Sequence, residues 1–173
     1  MAAGGVVARR LAGILTALTV LSITSSRSLG PYDILGHALR YVGGVVFASS
    51  AVVGACVHRS LPPKHDAPED VGELITEGPY SVVRHPFYLA MILMCLGSAL
   101  YALSTAGAFL ATASSLAWVL AAVLEEKELR RHWPIEYAKY SERVPMLIPR
   151  LRDVLEPANK CGSFESSGEP RVE

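Results

Sequence analysis

Between Pro86 and Leu124 the sequence contains no Asp, Glu, Lys, Arg or His. A helix crossing the hydrocarbon core of a bilayer needs about 20 mostly apolar residues, so this run is roughly twice the length of one crossing. It therefore predicts two helices joined by a tight turn. Ser104 and Thr105, the polar step between Leu103 and Ala106, mark the turn, giving a hairpin of Phe87 to Leu103 and Ala106 to Leu124. Composition agrees with a membrane solvent: 51% of the 173 residues are hydrophobic and 18% are charged, against about 25% charged in a soluble domain. The 16 Lys and Arg balance the 16 Asp and Glu, which argues against an electrostatic nucleic-acid binder.

Two more windows approach the length of a crossing. Leu11 to Ser26 is uncharged and follows Arg9 and Arg10. A secretory signal would look similar, but no small-residue cleavage site follows Ile23, so a retained first span is the preferred reading. Tyr41 to Val57 is the second, with Gly44, Ala48, Ala51 and Ala55 at helical spacing on one face, where another helix is expected to approach closely. The fold class that follows is an all-α polytopic membrane protein with about four transmembrane helices and a short C-terminal helix. With four crossings, Arg27 and Arg40 fall on one side and every other Lys and Arg on the opposite side. The positive-inside rule then puts both termini, the loop from His58 to His85 and the tail after Leu124 in the cytoplasm.

Beyond Leu124 the helix is expected to continue to His132, supported by Glu126 and Arg130 at i,i+4. Trp133-Pro134 starts a short helix over Ile135 to Arg143, because Pro is preorganised for a first helical turn. Residues 153–173 are rich in Ser, Gly, Glu and Pro and predict disorder. Cys56, Cys95 and Cys161 are odd in number and widely spaced, so neither a disulfide framework nor a zinc site is indicated.

No dinucleotide fingerprint, Walker loop, Gly-x-Ser-x-Gly elbow or His-Glu-x-x-His is present. The dense feature is Gly78-Pro79-Tyr80-Ser81-Val82-Val83-Arg84-His85-Pro86-Phe87-Tyr88. Gly78-Pro79 reads as a turn and Pro86 as a first helical residue, which puts His85 near an N-cap, where helix N–H groups face an anion. The plainest reading of Arg84, His85, Tyr80 and Tyr88 is an interfacial belt flanking a span. Against it stand Glu125 and Glu126, carboxylates at the edge of hydrocarbon that need partners. Taken alone, Glu126 reads as a solvated face paired with the next turn. The hairpin, however, returns both acids to the membrane surface that carries Arg84 and His85.

Gly78-Pro79-Tyr80, Arg84-His85-Pro86-Phe87-Tyr88, Glu125-Glu126, and Glu136-Tyr137 with Tyr140, Arg143-Val144-Pro145 and Pro149 resemble the signature of the isoprenylcysteine carboxyl methyltransferase and phospholipid methyltransferase superfamily. The resemblance covers about Leu74 to Pro149. It implies an integral membrane enzyme using S-adenosylmethionine, with residues 1–152 as one methyltransferase domain. It implies a cofactor pocket of Leu74, Ile75, Tyr80, His85, Pro86, Tyr88, Glu125 and Glu126, with Arg84, His85 and Glu126 as catalytic candidates and no metal. The acceptor implied first is the carboxylate of a prenylcysteine-like lipid; a phospholipid amine, or a non-catalytic membrane scaffold, are the alternatives. The membrane would be the endoplasmic reticulum in a eukaryote and the plasma membrane in a prokaryote. Prenylcysteine-specific members usually carry His where Gly72 stands and Arg where Ala121 stands, so the substrate half of the signature departs.

Overall fold

The structure, a computed structural model, describes residues 3–25, 34–60 and 74–150. Gly72, Cys161 and the tail over 153–173 lie outside them. Among the described residues five α-helices run in order: α1 Ala3–Ser25, α2 Ile34–Ser60, α3 Pro86–Ala102, α4 Thr105–His132 and α5 Pro134–Arg143, with a 3-10 turn over Gly78–Ser81 before α3. No strand occurs among the described residues. α1, α2 and α4 are long and apolar enough to cross a membrane, and α3 is a shorter apolar helix. The chain is thus an all-α polytopic membrane protein. α1 and α2 extend several residues beyond the uncharged windows, because a helix continues past the hydrocarbon edge wherever its next turn can be solvated.

Local chemistry sets the α3–α4 turn. Leu103 closes α3 in the left-handed region, φ 48°, its N–H donating to Ala99 O, an αL cap formed without glycine. Ser104 then caps α4, its side chain accepting from Gly107 N at 3.0 Å.

Packing is inverted relative to a soluble bundle. Val7, Leu11, Ile14 and Leu18 of α1 and Val45, Val52 and Val53 of α2 face outward, whereas Thr16, Thr19, Ser50, Ser98 and Ser114 are buried. In lipid there is no hydrophobic force between helices, so small residues and hydroxyls carry the contacts. α1 lies on α4 through Ala8, Ala12 and Thr16 against Ser114, Ala117, Trp118 and Ala121, and α2 lies chiefly on α3. Thr16 Oγ1 accepts from Trp118 Nε1 at 2.9 Å, lies 2.9 Å from Ser114 Oγ and donates to Ala12 O at 2.8 Å. Cys95 of α3 closes the group, its Sγ 3.3 Å from Ser114 Oγ.

The close face of α2 differs from the expected one. Ala48 and Ala55 are exposed, Gly44 and Ala51 are half-buried, and the buried line is Gly36, Gly43, Ser50, Gly54 and Val57. The reason is backbone contact. A Cβ on Gly43 would stand 2.5 Å from Tyr101 N and 2.8 Å from Gly97 O, and one on Gly97 would stand 2.6 Å from Phe47 N. Only the glycine-bearing face permits that approach, and it is one residue out of register with the alanine line.

Gly5 faces the Glu128 carboxylate, and His58 at the end of α2 meets the Phe87 ring at 5.8 Å, while Gly107 faces Ser22 and Arg40 covers the Tyr101 ring. The start of α1, the end of α2, the start of α3 and the end of α4 therefore share one end of the bundle.

Gly43→Ala and Gly97→Ala should each lower the thermal midpoint in detergent by an amount equivalent to about 1–3 kcal/mol, since backbone must move. Gly13→Ala, whose Cβ meets nothing within 4 Å, should raise it slightly. A comparison of the three midpoints checks both signs.

Candidate active site at the membrane border

Pro86 fixes the start of α3, leaving His85 at the N-cap with φ −124° and ψ 65° and no side-chain capping bond. A capping role for the imidazole is thereby removed. Instead the ring stacks on Tyr88, one turn on, with centroids 5.4 Å apart and planes 5° from parallel. The backbone just before α3 is held by the strand of chain after α5: Arg84 N donates to Pro145 O at 2.9 Å and His85 N to Met146 O at 3.1 Å.

Adjacent residues on a helix point about 100° apart, so Glu125 and Glu126 reach different partners. Glu126 Oε1 accepts from Arg84 Nε at 2.8 Å and from Nη2, and lies 3.6 Å from His85 Nε2. Arg130, the i,i+4 partner, stands 3.7 Å from Oε2 on a side chain that is 56% exposed, against 12% for Glu126. The principal partner is thus Arg84 across the hairpin, and the solvated reading of Glu126 does not describe this contact. Arg84 Nη1 also donates to Ser141 O at 3.0 Å and Val144 O at 2.7 Å, tying the loop to the end of α5. Glu125 Oε2 accepts from the Tyr88 hydroxyl. Arg9 of α1 stands beside that hydroxyl as well.

Below this polar layer lies an aromatic one. Tyr88 and Phe87 meet the Trp118 ring at 5.0 and 6.0 Å, and Trp118 connects through Thr16 to α1. Tyr80 is half-buried, and its carbonyl accepts from Tyr140 OH at 2.6 Å. Leu74 packs on the cluster of Tyr137, Tyr140 and Val144, Pro86 is buried, and Ile75 is half-buried beside Leu74 in sequence. Burial pushes the Tyr80 hydroxyl up to about 12, with the Glu125 carboxylate adding to it. Burial also raises Tyr137, reinforced by Glu126, and Tyr140, reinforced by Tyr137. All three therefore stay protonated at neutral pH, because phenolate is disfavoured both by desolvation and by neighbouring negative charge.

The residues singled out in the sequence thus meet at one end of the bundle. Arg9, Trp118 and the carbonyls of Ser141, Val144, Pro145 and Met146 are additions, and Tyr137, quoted in the signature but not among the pocket residues, joins them. Arg9 gave no signal beyond a basic flank, and Trp118 none beyond an apolar run. Ala121 is 1% exposed in a cluster with Ala8 and Ala12 of α1, so a long side chain at this position would displace α1.

Removing one partner of a buried ion pair costs about 3–5 kcal/mol, more than its net contribution, since a charge is left uncompensated. Arg84→Gln and Glu126→Gln should each destabilise strongly, and the double variant should be less unstable than the sum of the two. A double-mutant cycle on thermal or denaturant unfolding measures that coupling.

The model of the phospholipid methyltransferase family matches residues 34–135, more than half of the chain. The chain is similar to the cobalt-zinc-cadmium resistance protein CzcN of Cupriavidus metallidurans, 39% identical over 79 residues, 45% of this chain and 36% of that protein. It is similar to the nickel-cobalt-cadmium resistance protein NccN of Alcaligenes xylosoxydans xylosoxydans, 38% identical over 80 residues, 46% of this chain and 37% of that protein. Methanethiol S-methyltransferase 2 of Bradyrhizobium diazoefficiens is 37% identical over 73 residues, 42% of this chain and 27% of that enzyme. The chain spans little more than a third of the length of the first two relatives, and less of the third. No solved structure matches it. The polar end of the hairpin, from Arg84 to Glu126, falls wholly inside the matched region, and the chain belongs to the phospholipid methyltransferase family of membrane methyltransferases.

Proposed function

We propose that this protein transfers a methyl group from S-adenosylmethionine to a nucleophile dissolved in the membrane, at the cytoplasmic border of the bilayer. The observation that carries the reading is His85: a side chain only 4% exposed, at the start of α3, whose Nε2 makes no full hydrogen bond and stands 3.6 Å from Glu126 Oε1. Such an atom costs about 1–3 kcal/mol unless something binds it. The residues fit the donor. S-Adenosylmethionine carries an ammonium, a carboxylate and a sulfonium, and the site offers Glu125 and Glu126 beside Arg84 and His85. Leu74, Ile75, Tyr80, Pro86 and Tyr88 would complete its walls. When bound, the donor supplies an activated methyl carbon. The protein then has to hold and align the partners and exclude water, for which effective molarities of about 10⁵ to 10⁸ M indicate the available rate.

The titration states favour an acceptor that already carries its lone pair. The tyrosines are held protonated and Glu126 is engaged by Arg84, so none of these groups stands ready to take a proton. A carboxylate or thiolate needs no base; an amine does. A prenylcysteine-like carboxylate fits the first class, although Ala121 is packed against α1 where an acceptor-binding Arg would stand, leaving Arg9 as a cation beside Tyr88. The methanethiol S-methyltransferase relative is in line with a thiolate. A phospholipid amine is the second reading, favoured by the family description.

Methyl transfer from labelled donor to a panel of carboxylate, thiol and amine lipids in nanodiscs tests the acceptor; amine labelling alone would reverse the preference. His85→Ala and Glu125→Ala should insert normally and bind the donor about tenfold to more than a hundredfold more weakly, as expected for a lost hydrogen bond to a charged group, measured by calorimetry. Parent-like affinity in both would remove the pocket assignment. Protease treatment of sealed, oriented vesicles should cleave a C-terminal tag from the cytoplasmic face, as the Lys and Arg distribution requires.

A further inference from the structure

A second buried polar atom falls short of a full hydrogen bond: the hydroxyl of Tyr137 on α5, whose polar neighbour is the Glu126 carboxylate. The residue is 0% exposed. Its ring is well accounted for, with Tyr140 edge-on at 6.0 Å, Arg130 over its face at 5.7 Å, and Leu74, Leu129 and Trp133 around it. The oxygen is not. Phenylalanine would serve that packing equally and leave no polar atom to desolvate. Arg130, which covers the ring, also stands 3.7 Å from Glu126 Oε2, so Tyr137 and His85 Nε2 both approach one carboxylate. Two polar atoms without a full hydrogen bond, from the loop before α3 and from α5, thus converge on the Arg84–Glu126 pair.

We propose that Tyr137 is a ligand-binding residue whose hydroxyl, together with His85 Nε2 and Glu126, receives the amino-acid end of the bound S-adenosyl compound. This rests on the cofactor reading above. The chemistry that selects this end is the mixture of charges: Glu126 stands between the largely buried Arg84 and the exposed Arg130. An end bearing an ammonium and a carboxylate on one carbon answers both signs, whereas a nucleobase edge answers neither. The hydroxyl, able to donate and to accept, suits either group. α5 then contributes a ligand contact, and the Arg84 bonds to Ser141 O and Val144 O hold that contact in place.

Calorimetry on the full-length protein in nanodiscs, with S-adenosylhomocysteine and with 5′-methylthioadenosine, tests this. The second ligand keeps the nucleoside and sulfur and lacks the amino-acid end. Tyr137→Phe should bind S-adenosylhomocysteine about tenfold or more weakly, leave 5′-methylthioadenosine affinity unchanged, and keep or raise the thermal midpoint of the ligand-free protein, because a buried hydroxyl without a full hydrogen bond has been removed. Equal affinity for S-adenosylhomocysteine in parent and variant, or an equal loss for both ligands, overturns the proposal and leaves the cofactor reading standing. The same selective loss in Tyr140→Phe, whose hydroxyl is already bonded to Tyr80 O, points to displacement of α5 and also overturns it. Failure of the parent to bind either ligand overturns the cofactor reading and this proposal together.

Discussion

The contact between Arg84 and Glu126 organises the end of the molecule where chemistry is proposed. It joins the loop before α3 to the end of α4, so the two arms of the hairpin are fixed relative to each other beyond the hydrocarbon. The same guanidinium reaches the carbonyls of Ser141 and Val144, and the chain that follows receives the N–H groups of Arg84 and His85. One side chain thereby sets the positions of a loop, a helix end and a returning strand of chain. A lysine, with a single ammonium in place of a planar fork of donors, could not direct four bonds to three partners in these fixed directions.

Much of this was legible in the sequence, for reasons that differ by element. The hairpin followed from length alone, since an uncharged run of that extent has one way to satisfy its backbone in lipid. The N-cap position of His85 followed from Pro86, and the start of α5 from Pro134, because proline leaves few places for a helix to begin. The meeting of Arg84 and His85 with Glu125 and Glu126 at one end followed from the hairpin in turn. Which carboxylate meets which partner did not follow. That depends on the rotation of α4 about its axis, which is set by its packing on α1 and α3 and leaves no trace in the spacing of Glu125 and Glu126 themselves.

The face of α2 shows the same limit. Alanines and glycines carry one label, small, in a pattern of helical spacing, yet they differ in what they permit when two backbones touch. Gly43 and Gly97 meet where a single methyl group is already too large, and Gly54 meets the flexible end of Met91. Arg9 was hidden in another way: its basic charge marks the border of a span in any membrane protein, and nothing local distinguishes a flank from a residue that leans into a site.

α1 lies outside the region matched by the family model, and the bond from Trp118 Nε1 to Thr16 Oγ1 gives that fact a physical meaning. An indole N–H in hydrocarbon must find an acceptor, and here the acceptor belongs to a helix the family pattern does not include. A chain starting at Ile34 would keep the matched segment and leave this donor facing lipid, beside the Tyr88 ring it supports. The stretch that carries the family's identity is therefore smaller than the stretch a bilayer will accept as a folded unit.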